Sequence, residues 1–148
     1  MTLQYEVLKG VSNLRYPPEV IEDWEPIADI LSDRFPWKGS KIDWNHLKCH
    51  VEDKFNFSSD DHSKEIERFL IKSGAINKIS KSNVIYYIND SSLDFAFLLK
   101  PNSFIDFASY ATNNIPQHHY FFDRENKWCL VISAEGYIDF GFSCLDKK

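Results

Sequence analysis

Apolar and acidic residues interleave at helical spacing in the first third of the chain. Residues 19–33 contain no Lys or Arg, and their apolar residues recur at positions that form one side of a helix: Val20, Ile21, Trp24, Ile27, Ala28 and Leu31. A proline is tolerated in the first turn of a helix but not in its interior. Pro26 therefore predicts a helix capped near Asp23. In that helix one face carries Glu25, Asp29 and Asp33, while the approach to it carries Glu19 and Glu22.

Three further segments of the N-terminal half have recognisable patterns. Gln4–Leu8 predicts a short strand that Gly10 ends. Ser40 and Asp43 resemble a capping box and predict a helix to about Phe55, with an apolar ridge of Trp44, Leu47, Val51 and Phe55. Ser58 and Asp61 repeat the capping pattern for a third helix that ends at Ser73-Gly74, with a buried side of Ile66, Phe69 and Leu70.

The C-terminal half is rich in β-branched and aromatic residues. Val84–Ile88 predicts a strand, Leu93–Leu99 fits a strand or a short helix, and Ser103–Ala111 predicts a helix. A three-stranded meander is predicted over His119–Phe122, Trp128–Ser133 and Tyr137–Phe142. The alternation in Tyr137–Phe140 is typical of a sheet that is packed on one face. The sequence thus predicts a single α+β domain over residues 1–148, with N-terminal helices packed on a C-terminal antiparallel β-meander.

Composition and charge narrow the class of partner. The chain has 148 residues, 43% of them hydrophobic and 16% aromatic, which suits one domain with an ample core. Its net charge of −5 argues against nucleic acid and anionic membranes and favours a cationic partner. The N-terminus is too polar for a signal peptide, and no apolar run approaches the length of a membrane span. These observations predict a soluble cytoplasmic protein.

Cysteine and histidine residues offer a weak metal candidate. The three cysteines form no CxxC pair, so reduced thiols are expected rather than a disulfide scaffold. On the predicted second helix, His46, Cys49 and His50 would share one surface, as metal ligands do. No fourth ligand and no HExxH sequence accompany them. Ordinary surface residues are the favoured interpretation, and neither a metal nor another cofactor is expected.

Two adjacent histidines support an enzymatic alternative. His118 and His119 precede Asp123, and a small hydrolase or nuclease could use histidines with a nearby acid as acid and base. Neighbouring residues of a strand point to opposite faces, however, so one buried and one exposed histidine is the simpler expectation. The chain has no GxSxG sequence, P-loop or glycine-rich dinucleotide turn. The sequence therefore favours a protein that is not an enzyme.

The C-terminal third resembles small bacterial immunity proteins. The resemblance lies in Ile115–Phe122 (IPQHHYFF), Trp128–Ser133 (WCLVIS) and Glu135–Gly141 (EGYIDFG). This part of the chain is similar to the antidotes of contact-dependent growth inhibition and related polymorphic toxin systems. In this pattern Trp128 and Phe140 are expected in the core, and Gly136 and Gly141 at a turn or bulge. The resemblance implies a cytoplasmic protein that binds one toxin domain stoichiometrically and carries out no chemistry on it.

An acidic immunity protein would suit a nuclease toxin with a basic cleft, which it could occlude as a phosphate mimic. The candidate partner-binding residues are Glu22, Glu25, Asp29 and Asp33, followed by Trp37, Asp60 and Asp61. Trp37 follows Pro36 in a predicted loop and is either an exposed interface anchor or folded back over the helix end. Trp24, Trp44, Tyr120 and Trp128 are expected in the core. A scaffold or adaptor without a toxin partner is the third functional class left open.

Overall fold

A computed structural model describes residues 2–38, 41–90, 93–123, 125 and 127–142, with the backbone alone at positions 46 and 48. The α-helices in these ranges are α1 (Leu3–Val11), α2 (Glu25–Arg34), α3 (His62–Ser73), α4 (Ala75–Lys81) and α5 (Phe104–Asn114). The strands are β1 (Glu19–Ile21), β2 (Trp37–Lys38), β3 (Lys41–Ile42), β4 (Lys48–Lys54), β5 (Ile85–Asn89), β6 (Ala96–Leu99), β7 (His119–Asp123), β8 (Trp128–Ser133) and β9 (Tyr137–Phe142). Short 3₁₀ turns lie at Trp44–His46 and Pro101–Ser103.

Seven of these strands form one antiparallel sheet in the order β1-β6-β5-β7-β8-β9-β4, and β2 pairs with β3 in a separate hairpin. The predicted α+β fold with a C-terminal meander is confirmed. The meander β7-β8-β9 lies within the sheet, and the N-terminal half supplies both outer strands.

One face of the sheet carries the larger hydrophobic core. Residues of α1, α3, α4 and α5 pack there against alternate side chains of the strands. Phe107 of α5 contacts Tyr87 of β5, with ring centroids 4.8 Å apart. Trp128 and Phe140, expected in the core, are both buried in this cluster.

The other face of the sheet is also covered. Leu31 and Phe35 of the α2 region, together with Ile42 of β3, form a second buried cluster with side chains of β7 and β8. The expectation that Tyr137–Phe140 has only one packed face is therefore wrong. Asp139, which alternation alone assigns to solvent, is 5% exposed beneath this second layer.

Local signals predicted the end of α3 and the start of α2, but α3 begins later than the capping box predicts, because Asp61 and not Ser58 is its cap. Asp61 caps α3, because its carboxylate accepts a hydrogen bond from the Lys64 backbone N–H at 3.1 Å. Gly74 ends α3 in the left-handed conformation, at φ 80°. α2 begins at Glu25 with Pro26 in its first turn, as predicted, and Trp24 occupies the cap position.

Two predicted elements are wrong. Gln4–Leu8 belongs to α1, which Thr2 caps by accepting a hydrogen bond from the Tyr5 backbone N–H at 3.2 Å. The segment predicted as a helix from Ser40 to Phe55 contains β3, the 3₁₀ turn and β4. Its supposed ridge divides between the two cores: Trp44 and Leu47 pack on one face of the sheet, and Val51 and Phe55 on the other.

Candidate functional site

Helix α2 presents a one-signed charged surface. Glu25, Asp29 and Asp33 lie four residues apart and are all exposed, and we call this row the acidic stripe. None of the three forms a hydrogen bond or an ion pair with another residue in the described ranges through its side chain. Glu22 is exposed in the bend that precedes the helix. The structure thus brings the four primary candidates together around one helix.

A groove of about 380 Å³ lies beside the acidic stripe. Along α2 it is lined by Trp24, Ala28, Leu31 and Ser32, and the sheet side contributes Ile88, Leu93, Phe95 and Tyr120. Each residue of the stripe follows a groove-lining residue or precedes one, and successive residues of a helix are rotated by roughly 100°. The stripe and the groove are therefore adjacent surfaces of one element. Asp90 and Asp94 are exposed residues at the opposite edge.

Trp37 belongs to this groove and is not a free-standing anchor. Its ring is half-buried and packs against Tyr120 with centroids 5.9 Å apart. The indole Nε1 is fully buried and has no hydrogen-bond partner in the described parts of the chain. Of the two possibilities left open for Trp37, the folded-back arrangement is the one observed.

The secondary acidic candidates lie elsewhere. Asp60 and Asp61 precede α3, which packs on the sheet face opposite α2. The Asp61 carboxylate is committed to capping α3. The structure therefore does not combine this pair with the acidic stripe in one surface.

A second, polar pocket of about 230 Å³ lies on the same sheet face as α2. Its polar lining comes from β3, β4, β8, β9 and the residues just before β7 and after β8: Lys41, Glu52, His118, Ser133, Glu135 and Asp139. Lys41 Nζ donates a hydrogen bond to Glu135 Oε1 at 2.6 Å, and this contact lowers the pKa of the Glu135 carboxyl. Sequence reasoning missed this pocket, because its residues come from distant segments. An acid within the apolar strand Tyr137–Phe142 was the available signal.

His50 and Asp139 form a close pair at the edge of this pocket. His50 Nε2 lies 2.6 Å from Asp139 Oδ1, and the imidazole stacks on Trp44 with centroids 4.6 Å apart. Burial raises the pKa of Asp139 to about 6, against the opposing effect of the His50 hydrogen bond. Gly141 permits the position of Trp44, because a Cβ there would lie 3.0 Å from the indole ring. Trp44 is half-buried against this pair and does not lie within a fully buried core.

The adjacent histidines point to opposite faces, as predicted. His119 is 1% exposed and lies in the larger core, where Nδ1 is 2.7 Å from the Tyr87 hydroxyl. His118 is half-buried in the polar pocket, and its Nδ1 accepts a hydrogen bond from the Ala134 backbone N–H at 2.9 Å. The two imidazoles therefore cannot act on one substrate.

The metal candidate of His46, Cys49 and His50 depended on a helix that the structure does not contain. Cys49 and His50 lie in β4, not in a helix, and Cys49 sits at a bulge with φ 58°. The imidazole of His50 is engaged with Asp139. The side chain of His46 lies outside the described part of the structure. Within the described residues, no group of three or more His, Cys, Asp or Glu side chains is placed to hold a metal ion.

Comparison with models of known protein families finds none that matches the chain, and no curated protein matches it significantly. No helix in the described residues is long and apolar enough to cross a membrane.

Proposed function

We propose that the protein is a cytoplasmic immunity protein that binds and neutralises a basic toxin domain. The observation that carries the proposal is the acidic stripe of α2, which is exposed and without ion pairs in the described residues. The resemblance of the C-terminal strands to immunity proteins supports it independently. A nuclease toxin with a basic substrate cleft is the partner whose charge the stripe complements best.

The expected mechanism is steric and electrostatic occlusion. Carboxylates spaced along a helix can occupy positions that phosphates of a nucleic acid would take in the toxin's cleft. Long-range attraction accelerates encounter, whereas the apolar contacts beside the stripe set the lifetime of the complex. A stable complex of this kind should bury at least ~1,200 Å² in total.

The proposal predicts that a neighbouring gene encodes a toxin domain. The direct test is growth of cells that express that domain, with and without the protein, together with co-purification. Rescue and a one-to-one complex are expected. If the folded protein neither rescues growth nor binds, it is not the immunity protein of that toxin.

A hydrolase or nuclease centred on His118 is the second candidate, because the polar pocket places an imidazole with Lys41, Glu52 and Asp139. The Ala134 N–H occupies Nδ1, so a neutral His118 carries its proton on Nε2 and can donate a hydrogen bond from Nε2 to a substrate oxygen. His119 has no part in this version, because it lies in the other core. Hydrolysis of a nucleic-acid or ester substrate that is abolished by His118→Ala and retained in Cys49→Ala would establish this activity.

A further inference from the structure

We propose that the groove beside α2 receives one bulky apolar side chain of the partner, carried on a segment that is basic on both sides of that residue. The inference deepens the proposed function and rests on it for the identity of the partner. The apolar lining of the groove and the acidic residues around it determine which kind of partner segment can bind there.

The lining of the groove is mostly apolar and aromatic. Two indole rings, those of Trp24 and Trp37, and the Phe95 ring are grouped around a space of about 380 Å³. This volume lies within the range of roughly 300–1,000 Å³ that is typical of ligand pockets. Aromatic residues that surround a concave surface are characteristic of the places where a partner's anchor side chain is desolvated.

The charges around the groove determine which residues of the partner can lie next to its apolar anchor side chain. Asp90 and Asp94 lie at the sheet side, and the acidic stripe runs along the helix side. Asp90 Oδ1 accepts a hydrogen bond from the His118 backbone N–H at 2.9 Å. The Asp94 backbone N–H donates to Gln4 Oε1 at 3.2 Å, and Asp94 Oδ2 accepts from Gln4 Nε2 at 3.5 Å. Among the described residues that line the groove, none is a Lys or Arg. Lysine or arginine on either side of the anchor would therefore meet carboxylates on both edges.

Synthetic peptides provide a probe that does not require the toxin. The first peptide has a single leucine flanked by lysines, the second has alanine in place of the leucine, and the third has glutamates in place of the lysines. Binding is followed through the indole N–H signals of the chain's four tryptophans in NMR spectra. Trp24 and Trp37 line the groove, whereas Trp44 lies at the polar pocket and Trp128 in the opposite core. The last two are internal controls.

The leucine peptide should shift the Trp24 and Trp37 signals, bind at least ~10-fold more tightly than the alanine peptide and leave Trp128 unchanged. The glutamate peptide should not bind. Equal affinity for the leucine and alanine peptides would overturn the inference, and so would shifts centred on Trp44.

Two variants separate filling of the groove from loss of charge. Ala28→Leu places a larger side chain on the groove-lining row of α2 while keeping a good helix former, and should abolish binding. Asp90→Asn with Asp94→Asn retains hydrogen-bonding groups and should weaken binding at least ~5-fold in low salt. The matched control is Glu67→Gln with Asp106→Asn, two exposed acids on helices of the other face. If Ala28→Leu fails to fold, the comparison of the three peptides and the charge variants still tests whether the groove binds the anchor.

The same variants distinguish this inference from the proposed function. If the protein binds the leucine peptide but does not rescue growth, the groove inference stands and the proposed toxin neutralisation is wrong. Rescue and complex formation undiminished in Ala28→Leu would retain neutralisation and overturn the anchor groove.

Discussion

The hydroxyl of Tyr87 and Nδ1 of His119 are 2.7 Å apart inside the larger core, on neighbouring strands β5 and β7. Both side chains are almost completely buried. Burial raises the pKa of the Tyr87 hydroxyl and lowers the pKa of His119 to about 3, with a smaller effect from His118. The pair is therefore neutral at physiological pH, and one hydrogen bond joins the tyrosine hydroxyl to the imidazole Nδ1.

Removing the Tyr87 hydroxyl should destabilise the fold. Tyr87→Phe leaves the ring in place and deprives the buried Nδ1 of its partner, so we expect the free energy of unfolding to fall by about 1–3 kcal/mol. Urea denaturation measures this difference. Tyr86→Phe is the matched control, since Tyr86 is half-buried on the other sheet face, and it should change stability by less. Equal effects of the two substitutions would show that the hydrogen bond contributes little.

His119 should make the protein acid-sensitive. Its pKa is about 3 in the folded state and about 6.5 in the unfolded state, so the unfolded chain binds the extra proton between these values. The contribution of neutral His119 to the free energy of unfolding is complete above pH ~6.5. As the pH falls toward ~3, this contribution is lost and stability decreases by a few kcal/mol.

Urea denaturation across this pH range, with wild type and His119→Gln, tests the assignment. The variant should be less stable at pH 7, but the difference from wild type should shrink as the pH falls below ~6.5. Stability curves that remain parallel from pH ~7 to ~4 would show that His119 is not the titrating group.

Asp139 should have the opposite pH dependence. Its pKa is raised to about 6 in the folded state from 3.8, so the folded chain binds the extra proton between these values. The resulting stabilisation is complete below pH ~3.8 and disappears as the pH rises through ~6. Asp139→Asn keeps an acceptor for His50 and cannot ionise.

At pH 7 the asparagine variant should therefore be more stable relative to wild type than at pH 4, by ~1–2 kcal/mol after allowance for solvent screening. Denaturation at the two pH values measures this change. A larger advantage of the variant at pH 4 would mean that the sign of the Asp139 shift is wrong.

Charge reversal on the acidic stripe should slow association with the basic toxin domain that the proposed function requires. Asp29→Lys with Asp33→Lys changes the charge of the binding surface by four units, and the association rate should fall at least ~10-fold at low ionic strength. Stopped-flow or surface-based kinetics at two salt concentrations measures the effect. Glu67→Lys with Asp106→Lys makes the same change in net charge on the other side of the sheet and serves as the control. Equal rates for the two double variants would remove the stripe from the interface.

The sequence predicted the elements whose signals are local. Gly74 marks the end of α3 through its backbone conformation, as predicted, and Asp61 belongs to the start of α3 as its cap and not as a first-turn residue. Pro26 similarly placed the start of α2. The strands of the meander were recognisable because β-branched and aromatic residues are concentrated between turns.

Elements whose identity depends on distant partners were not predictable. Trp44, Leu47 and Val51 have helix-like spacing, but β4 pairs with β9, whose residues lie about ninety positions later. The burial of Asp139 likewise depends on distant segments, because α2, the β2–β3 hairpin and the Trp44–His46 turn cover that face of the sheet. The groove and the polar pocket are consequences of this layer, so periodicity along the chain carries no direct signal for them.

The strand order also fixes when the chain can fold during its synthesis. β1 and β4 emerge from the ribosome early, but they pair with β6 and β9, and β9 ends at Phe142. Val51 of β4, which packs against the larger core, therefore remains without its sheet neighbour until β9 has been translated. The native sheet therefore forms only after strands from both halves of the described chain have been synthesised.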